Sequence, residues 1–104
     1  MQLGVLIATA PDEGDLPSLQ ALMQEALQKG YDVDLFLMDE GVRYATDANL
    51  AVWVATGIDV MLCAHDAEAR GVDLRLATAR GVLLGTQRDH AFLLRRSDRF
   101  YSFT

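Results

Sequence analysis

The stretch Gly57-Ile58-Asp59-Val60-Met61-Leu62-Cys63-Ala64-His65-Asp66 decides the fold. Ile58–Ala64 is a short apolar run between a glycine and a polar helix start, the pattern of a strand covered on both faces. His65–Arg70 follows as a short helix stopped by Gly71. The same strand-then-helix unit recurs in both directions. Upstream, Leu3–Thr9 is a partly β-branched run stopped by Pro11-Asp12-Glu13-Gly14-Asp15, and Pro17 opens a helix. Leu19, Leu22, Met23, Ala26 and Leu27 make one apolar stripe of that helix, with Asp15 near its start and Lys29 and Gly30 at its end. Tyr31–Met38 is the second strand, ended by Asp39-Glu40-Gly41. Val42–Ala45 reads as one helical turn, and Asp47 caps a helix through Thr56. Downstream, Leu74–Arg80 is a helix stopped by Gly81, and Val82–Leu84 a short fourth strand. Thr86 and Asp89 form a capping box for a helix over Gln87–Arg96, and Arg99–Phe103 is a fifth strand.

Strands and helices that alternate through five strands with short connections require crossovers rather than hairpins. The expected architecture is an α/β fold, a three-layer α/β/α sandwich with a mainly parallel five-stranded sheet, as a single domain over residues 1–104. That length supports one core without disulfides or a structural metal. With 51% hydrophobic residues the chain is not disordered. A net charge of −6 is the wrong sign for non-specific grip on nucleic acid or an anionic membrane, so neither is an expected partner. No run nears the roughly 18 apolar residues of a membrane span. Gly4–Ala10 is apolar and ends in Ala8-Thr9-Ala10, like a signal-peptidase site, but no basic residues precede it. Together with a single cysteine, which forms no intrachain disulfide, this makes the expectation a soluble cytoplasmic protein.

In open parallel sheets the functional crevice lies beyond the carboxyl ends of the strands. The positions to weigh are therefore Thr9–Asp15, Met38–Tyr44, Cys63–Asp66 and Gly85–Thr86. Cys63 leads, because it ends the third strand where a helix begins, and the N–H groups of a helix start favour a thiolate. His65 and Arg70 are close enough in sequence to add to that effect, whereas Asp66 and Glu68 oppose it. A free cysteine is equally a small hydrophobe packed in a core. A phosphate-cradling Cys-x5-Arg loop needs arginine at position 69, which is Ala69. His65 and His90 are the candidates for a Cys–His pair. Arginine outnumbers lysine eight to one, which leaves Arg43, Arg70 and Arg80 as candidate anion-binding residues. The acids Asp12, Glu13, Asp15, Asp39 and Glu40 read as solvated loop carboxylates. A receiver-type Mg²⁺ site fails because Cys63 stands where an acid is needed and no lysine follows the fourth strand. The first loop is neither GxGxxG nor a Walker A sequence, so no metal or cofactor is expected. Trp53 and the terminal aromatics exceed what one small sheet must bury, so the Leu50–Val54 helix is expected to contribute to a subunit interface.

Beside this reading, the chain resembles the DsrE/DsrF-like sulfur-relay family. The segments Leu3–Thr9 and then Gly30–Val42 look like that family's first two strands and intervening helix. Gly57–Cys63 with Ala69-Arg70-Gly71-Val72 looks like its third strand, cysteine and Arg-Gly turn, and Ser97–Phe103 is similar to its last strand. The resemblance implies a homotrimer or hexamer in which Cys63 carries a persulfide received from, and passed to, other sulfur-transfer proteins, a sulfurtransferase of the carrier kind without a cofactor. His65, Arg70 and Arg43 are then the candidate substrate-binding residues around Cys63. The alternative is a non-catalytic oligomeric subunit or small-ligand-binding protein of the same fold, with a structural cysteine.

Overall fold

The computed structural model describes all residues from Met1 to Thr104. Five strands, β1 (Gln2–Ile7), β2 (Asp32–Leu37), β3 (Asp59–Cys63), β4 (Leu83–Gly85) and β5 (Arg99–Phe103), form one sheet. Their order is β4-β3-β2-β1-β5 and every neighbouring pair is parallel. The connections carry α1 (Leu16–Gln28), a 3₁₀ segment (Asp39–Thr46), α2 (Ala48–Ala55), α3 (Ala64–Ala69), α4 (Leu74–Ala79) and α5 (Gln87–Arg96). This is the expected sandwich, with a sheet that is wholly rather than mainly parallel.

The two outer layers are unequal, and chain direction explains why. β1 to β4 step one way along the sheet, so right-handed crossovers put α1 to α4 on a single face. The last crossover runs back over the whole sheet to β5 and places α5 alone on the other. On the crowded face Val5, Ile7, Leu35 and Leu62 meet Leu19 and Met23 of α1 in a core of 20 buried residues. On the other face a satellite of four, Leu6, Phe36, Cys63 and Leu93, is all that α5 completes. The period-two alternation of the strands sorts residues between these faces.

Local chemistry sets the helix ends. Asp47 accepts the Asn49 N–H at 2.9 Å and so caps α2, a contact of a kind worth about 1 kcal/mol. Asp15 precedes α1 without capping it, and its carboxylate instead accepts the Thr9 hydroxyl at 2.5 Å. Two expectations are corrected. The single turn at Val42–Ala45 is an eight-residue 3₁₀ segment. It is held against the sheet by Gly41, where a Cβ would overlap the Ile7 carbonyl, and is entered through Asp39 at φ 47°. Trp53 is not surplus surface. It is 5% exposed and packs against Tyr44 with ring centroids 5.6 Å apart, leaving Val52, 60% exposed, as the large apolar side chain that α2 shows to solvent. No helix is long and apolar enough to cross a membrane.

Candidate functional site at the carboxyl ends of β3 and β4

β3 and β4 are neighbours whose chains leave their carboxyl ends for opposite faces, β3 into α3 and β4 into α5. That divergence defines the crevice of an open parallel sheet, and Cys63 is paired in register with Gly85 at this point. A Cβ on Gly85 would overlap the Met61 thioether and stand 2.9 Å from the Asp89 carboxylate, so a larger residue here displaces both side chains. The expected capping box is present. Asp89 accepts the Thr86 N–H at 2.8 Å and Thr86 Oγ1 accepts the Arg88 N–H at 3.3 Å. One residue on, the His90 imidazole stacks against Phe36 (5.6 Å) and Phe100 (6.2 Å), and its Nδ1 lies 3.4 Å from Gln87 Oε1.

Cys63 lies at the carboxyl end of β3, on the α5 side of the sheet. The residue is 3% exposed, packed with Leu6, Phe36 and Leu93 and flanked by half-buried Met38, Met61 and Phe100. It is a free thiol. The remaining candidates gather elsewhere. His65 is exposed on α3. Arg70 Nε donates to Glu40 Oε2, and its other nitrogens reach Asp39 Oδ1 and the Asp66 carbonyl, each at 3.3 Å. Arg43 Nε lies 2.7 Å from Glu40 Oε1. Glu40 thus brings Arg43 and Arg70 together, and both guanidiniums hold its carboxyl below the usual carboxylate value, Arg43 more strongly. The Asp39 N–H closes this network by donating to Asp66 at 2.8 Å. Arg80 donates to the Asp47 carbonyl at 3.3 Å. No three His, Cys, Asp or Glu side chains group as a metal site.

Three features escape the sequence. Tyr44 is fully buried and its hydroxyl has no partner; burial first, then the charges of Asp15, Asp47, Asp12 and Glu13, push its phenol up to about 12. Asp34, 7% exposed, accepts the Gln2 amide and the Arg96 guanidinium on one and the same oxygen. Burial outweighs these partners and pushes the Asp34 carboxyl up. Beside it, a cavity of about 350 Å³ lies between β2, β3 and α5, with Leu83 of β4 at one side. An aspartate inside an apolar strand is a readable signal for Asp34, but its partner stands 62 residues away in the chain.

The wholly parallel five-stranded sheet, with one helix alone on its second face, is a DsrE-like fold. The fold is similar to the crystal structure of the ychN protein from E. coli, with a TM-score of 0.76 and 24% identity, covering 99% of this chain and 100% of that one. It is also similar to BT1422 from Bacteroides thetaiotaomicron, a conserved protein of unknown function (TM-score 0.77, 16% identity, 98% and 94% covered). MTH1491 from Methanobacterium thermoautotrophicum, likewise of unknown function, aligns with TM-score 0.74, 13% identity and 96% and 97% coverage. No family model matches the chain, and no curated protein matches it.

Proposed function

We propose that the protein is a cytoplasmic sulfur-relay subunit that carries a persulfide on Cys63. The observation that carries this reading is the position of Cys63 at the divergence of β3 and β4, where a parallel sheet exposes its working groups. In the step itself, the Cys63 thiolate attacks the outer sulfur of a donor protein's persulfide. The new S–S bond forms on Cys63, the donor's S–S bond breaks, and the donor leaves as a thiolate that takes up a proton. A thiolate on the acceptor protein then removes the same sulfur by the reverse exchange. His65, Arg70 and Arg43 lie on the other side of the sheet edge from the thiol, so they are proposed as contacts for the approaching donor, Arg43 and Arg70 on release from Glu40, and a homotrimer or hexamer is the proposed assembly. Because Cys63 is 3% exposed, side chains packed over it, Leu93 of α5 among them, must move for the exchange to occur. The test is mass spectrometry after incubation with a protein persulfide donor. One added sulfur in the wild type and none in Cys63→Ser supports the carrier; no gain, or equal gain, sinks it.

A second reading has its own observation. The same burial among Leu6, Phe36 and Leu93 suits a structural cysteine in a non-catalytic oligomeric or small-ligand-binding subunit. Native alkylation at neutral pH separates the two. A carrier reacts stoichiometrically while folded, and a structural cysteine reacts only at the rate at which the protein opens.

A further inference from the structure

Cys63 does not line the cavity beside α5, although Phe36, Met61 and Leu93 border both, and the cavity's polar groups can be read independently of sulfur transfer. The cavity has about 350 Å³ of space, within the range of small-molecule sites. Its wall is mainly apolar, with Val60 and Met61 along β3, Leu83 on β4, and Phe92 and Leu93 on α5. Exposure of Leu83 at 58% and Phe92 at 54% shows that its mouth is open.

Its polar groups are unbalanced in sign. Three carboxylates, Asp34, Asp59 and Asp89, face one guanidinium, Arg96. Asp89 is engaged by the Thr86 N–H. Asp34 and Asp59 are paired in register on adjacent strands, so two like charges stand side by side, an arrangement that raises the energy of both. Arg96 offsets only one of them. Its guanidinium sits over the Phe92 ring at 5.9 Å and, with the Gln2 amide, meets Asp34 Oδ2. The second oxygen of Asp34 makes no hydrogen bond in the protein and is reached by solvent, since the Tyr44 hydroxyl is the one buried side-chain polar atom without a partner. Asp59 makes no ion pair, since the Asp34 contact is the one that Arg96 makes. An accessible carboxylate oxygen beside an exposed carboxylate that has no ion pair favours a cation over an anion at this end of the cavity.

From these features we infer that the cavity binds a small molecule with an apolar body and one ammonium head. The head lies between Asp34 Oδ1 and Asp59, and the body runs along β3 between Leu83 and Phe92. The inference goes beyond sulfur relay and does not depend on whether Cys63 reacts.

The probes are 4-phenylbutylamine, 4-phenylbutanol and 4-phenylbutyrate, which share one apolar body and differ in the charge of the head. Binding is followed by amide chemical shifts on the intact chain. The amine is expected to bind saturably, shifting amides of β3 and α5, and the acid about tenfold more weakly or not at all. Asp59→Asn, at an exposed position, is expected to lose about tenfold for the amine and to leave the alcohol unchanged. Leu83→Trp, which fills the mouth, is expected to weaken amine and alcohol alike. Equal affinity for amine and acid overturns the inference. So does an amine affinity that Asp59→Asn leaves intact, or no saturable binding of the amine. Loss of persulfide loading on Cys63, by contrast, bears only on the proposed sulfur transfer.

Discussion

Replacing Arg96 with glutamine is expected to destabilise the protein, by an amount that depends on pH. The Asp34 side chain is 10% exposed and that of Arg96 44%, so the pair lies between a surface contact and a buried one. Exposed pairs are worth about 0–1 kcal/mol, and breaking a fully buried pair costs about 3–5 kcal/mol. Solvent reaching Arg96 places Arg96→Gln at the low end, about 1–2 kcal/mol at pH 7. For a chain of this size that lowers the melting temperature by about 4–8 °C per kcal/mol. Asp34→Asn is expected to be close to neutral, because an amide oxygen still accepts from Gln2 and Arg96 while the desolvated charge is gone. Folding already raises the Asp34 carboxyl above 3.8, burial being the main cause and Arg96 the main opposing one. Asp34 on its own therefore lowers stability as pH rises from 3.8 through its folded value. Loss of Arg96 raises that folded value further, so the cost of Arg96→Gln is full at neutral pH and shrinks as acid protonates Asp34. Urea unfolding monitored by Trp53 fluorescence between pH 4 and 7 measures this, with the double variant closing the cycle. A cost below about 0.5 kcal/mol at pH 7, or one that grows on acidification, refutes the reasoning.

Tyr44→Phe removes a buried hydroxyl without a partner, so it is expected to stabilise by about 1 kcal/mol in urea unfolding. The variant also loses the alkaline destabilisation that wild type shows as pH rises from 10.0 to about 12, where unfolded Tyr44 ionises and folded Tyr44 does not. A clear loss of stability in Tyr44→Phe would falsify the idea that this hydroxyl is unmatched. Gly41→Ala drives a methyl into the Ile7 carbonyl and is expected to cost about 2–3 kcal/mol by thermal unfolding; a wild-type melting temperature would show that the 3₁₀ segment yields freely. Carbon-detected NMR titration is expected to find Glu40 ionising below its ordinary 4.5 because of Arg43 and Arg70. Its contribution to stability is present above 4.5 and lost as pH falls through that lowered value. Arg43→Ala should return Glu40 toward 4.5, and no movement would mean the pairing is not populated in solution.

Most of the fold is legible because its signals are local. β1 reads from an unbroken apolar run, α1 from one stripe, and α5 from the Thr86–Asp89 box, which closes on itself within three residues. Sheet order is less local, yet short crossovers of one hand leave few choices. The 3₁₀ segment was readable only as a turn, because its length depends on Gly41 meeting Ile7, a contact with a strand far back in the chain. Trp53 misleads for a related reason. α2 is apolar around most of its circumference, so composition does not say which face the sheet takes. At the candidate site, the position of Cys63 follows from its strand, but its burial depends on α5, whose placement needs the whole topology. Arg43 and Arg70 look free in sequence because Glu40, 30 residues before Arg70, is not visible as their common partner.

The pairing of β5 with β1 has a consequence for synthesis. β1 is the first strand to leave the ribosome and β5 the last of the five, yet they are neighbours in the sheet. Throughout translation one side of β1, a nearly fully buried apolar strand in the finished fold, stays an open edge able to pair with any extended chain. Removal of Arg99–Phe103 perpetuates that state, so a chain cut before β5 is a template for aggregation rather than a smaller version of the same domain.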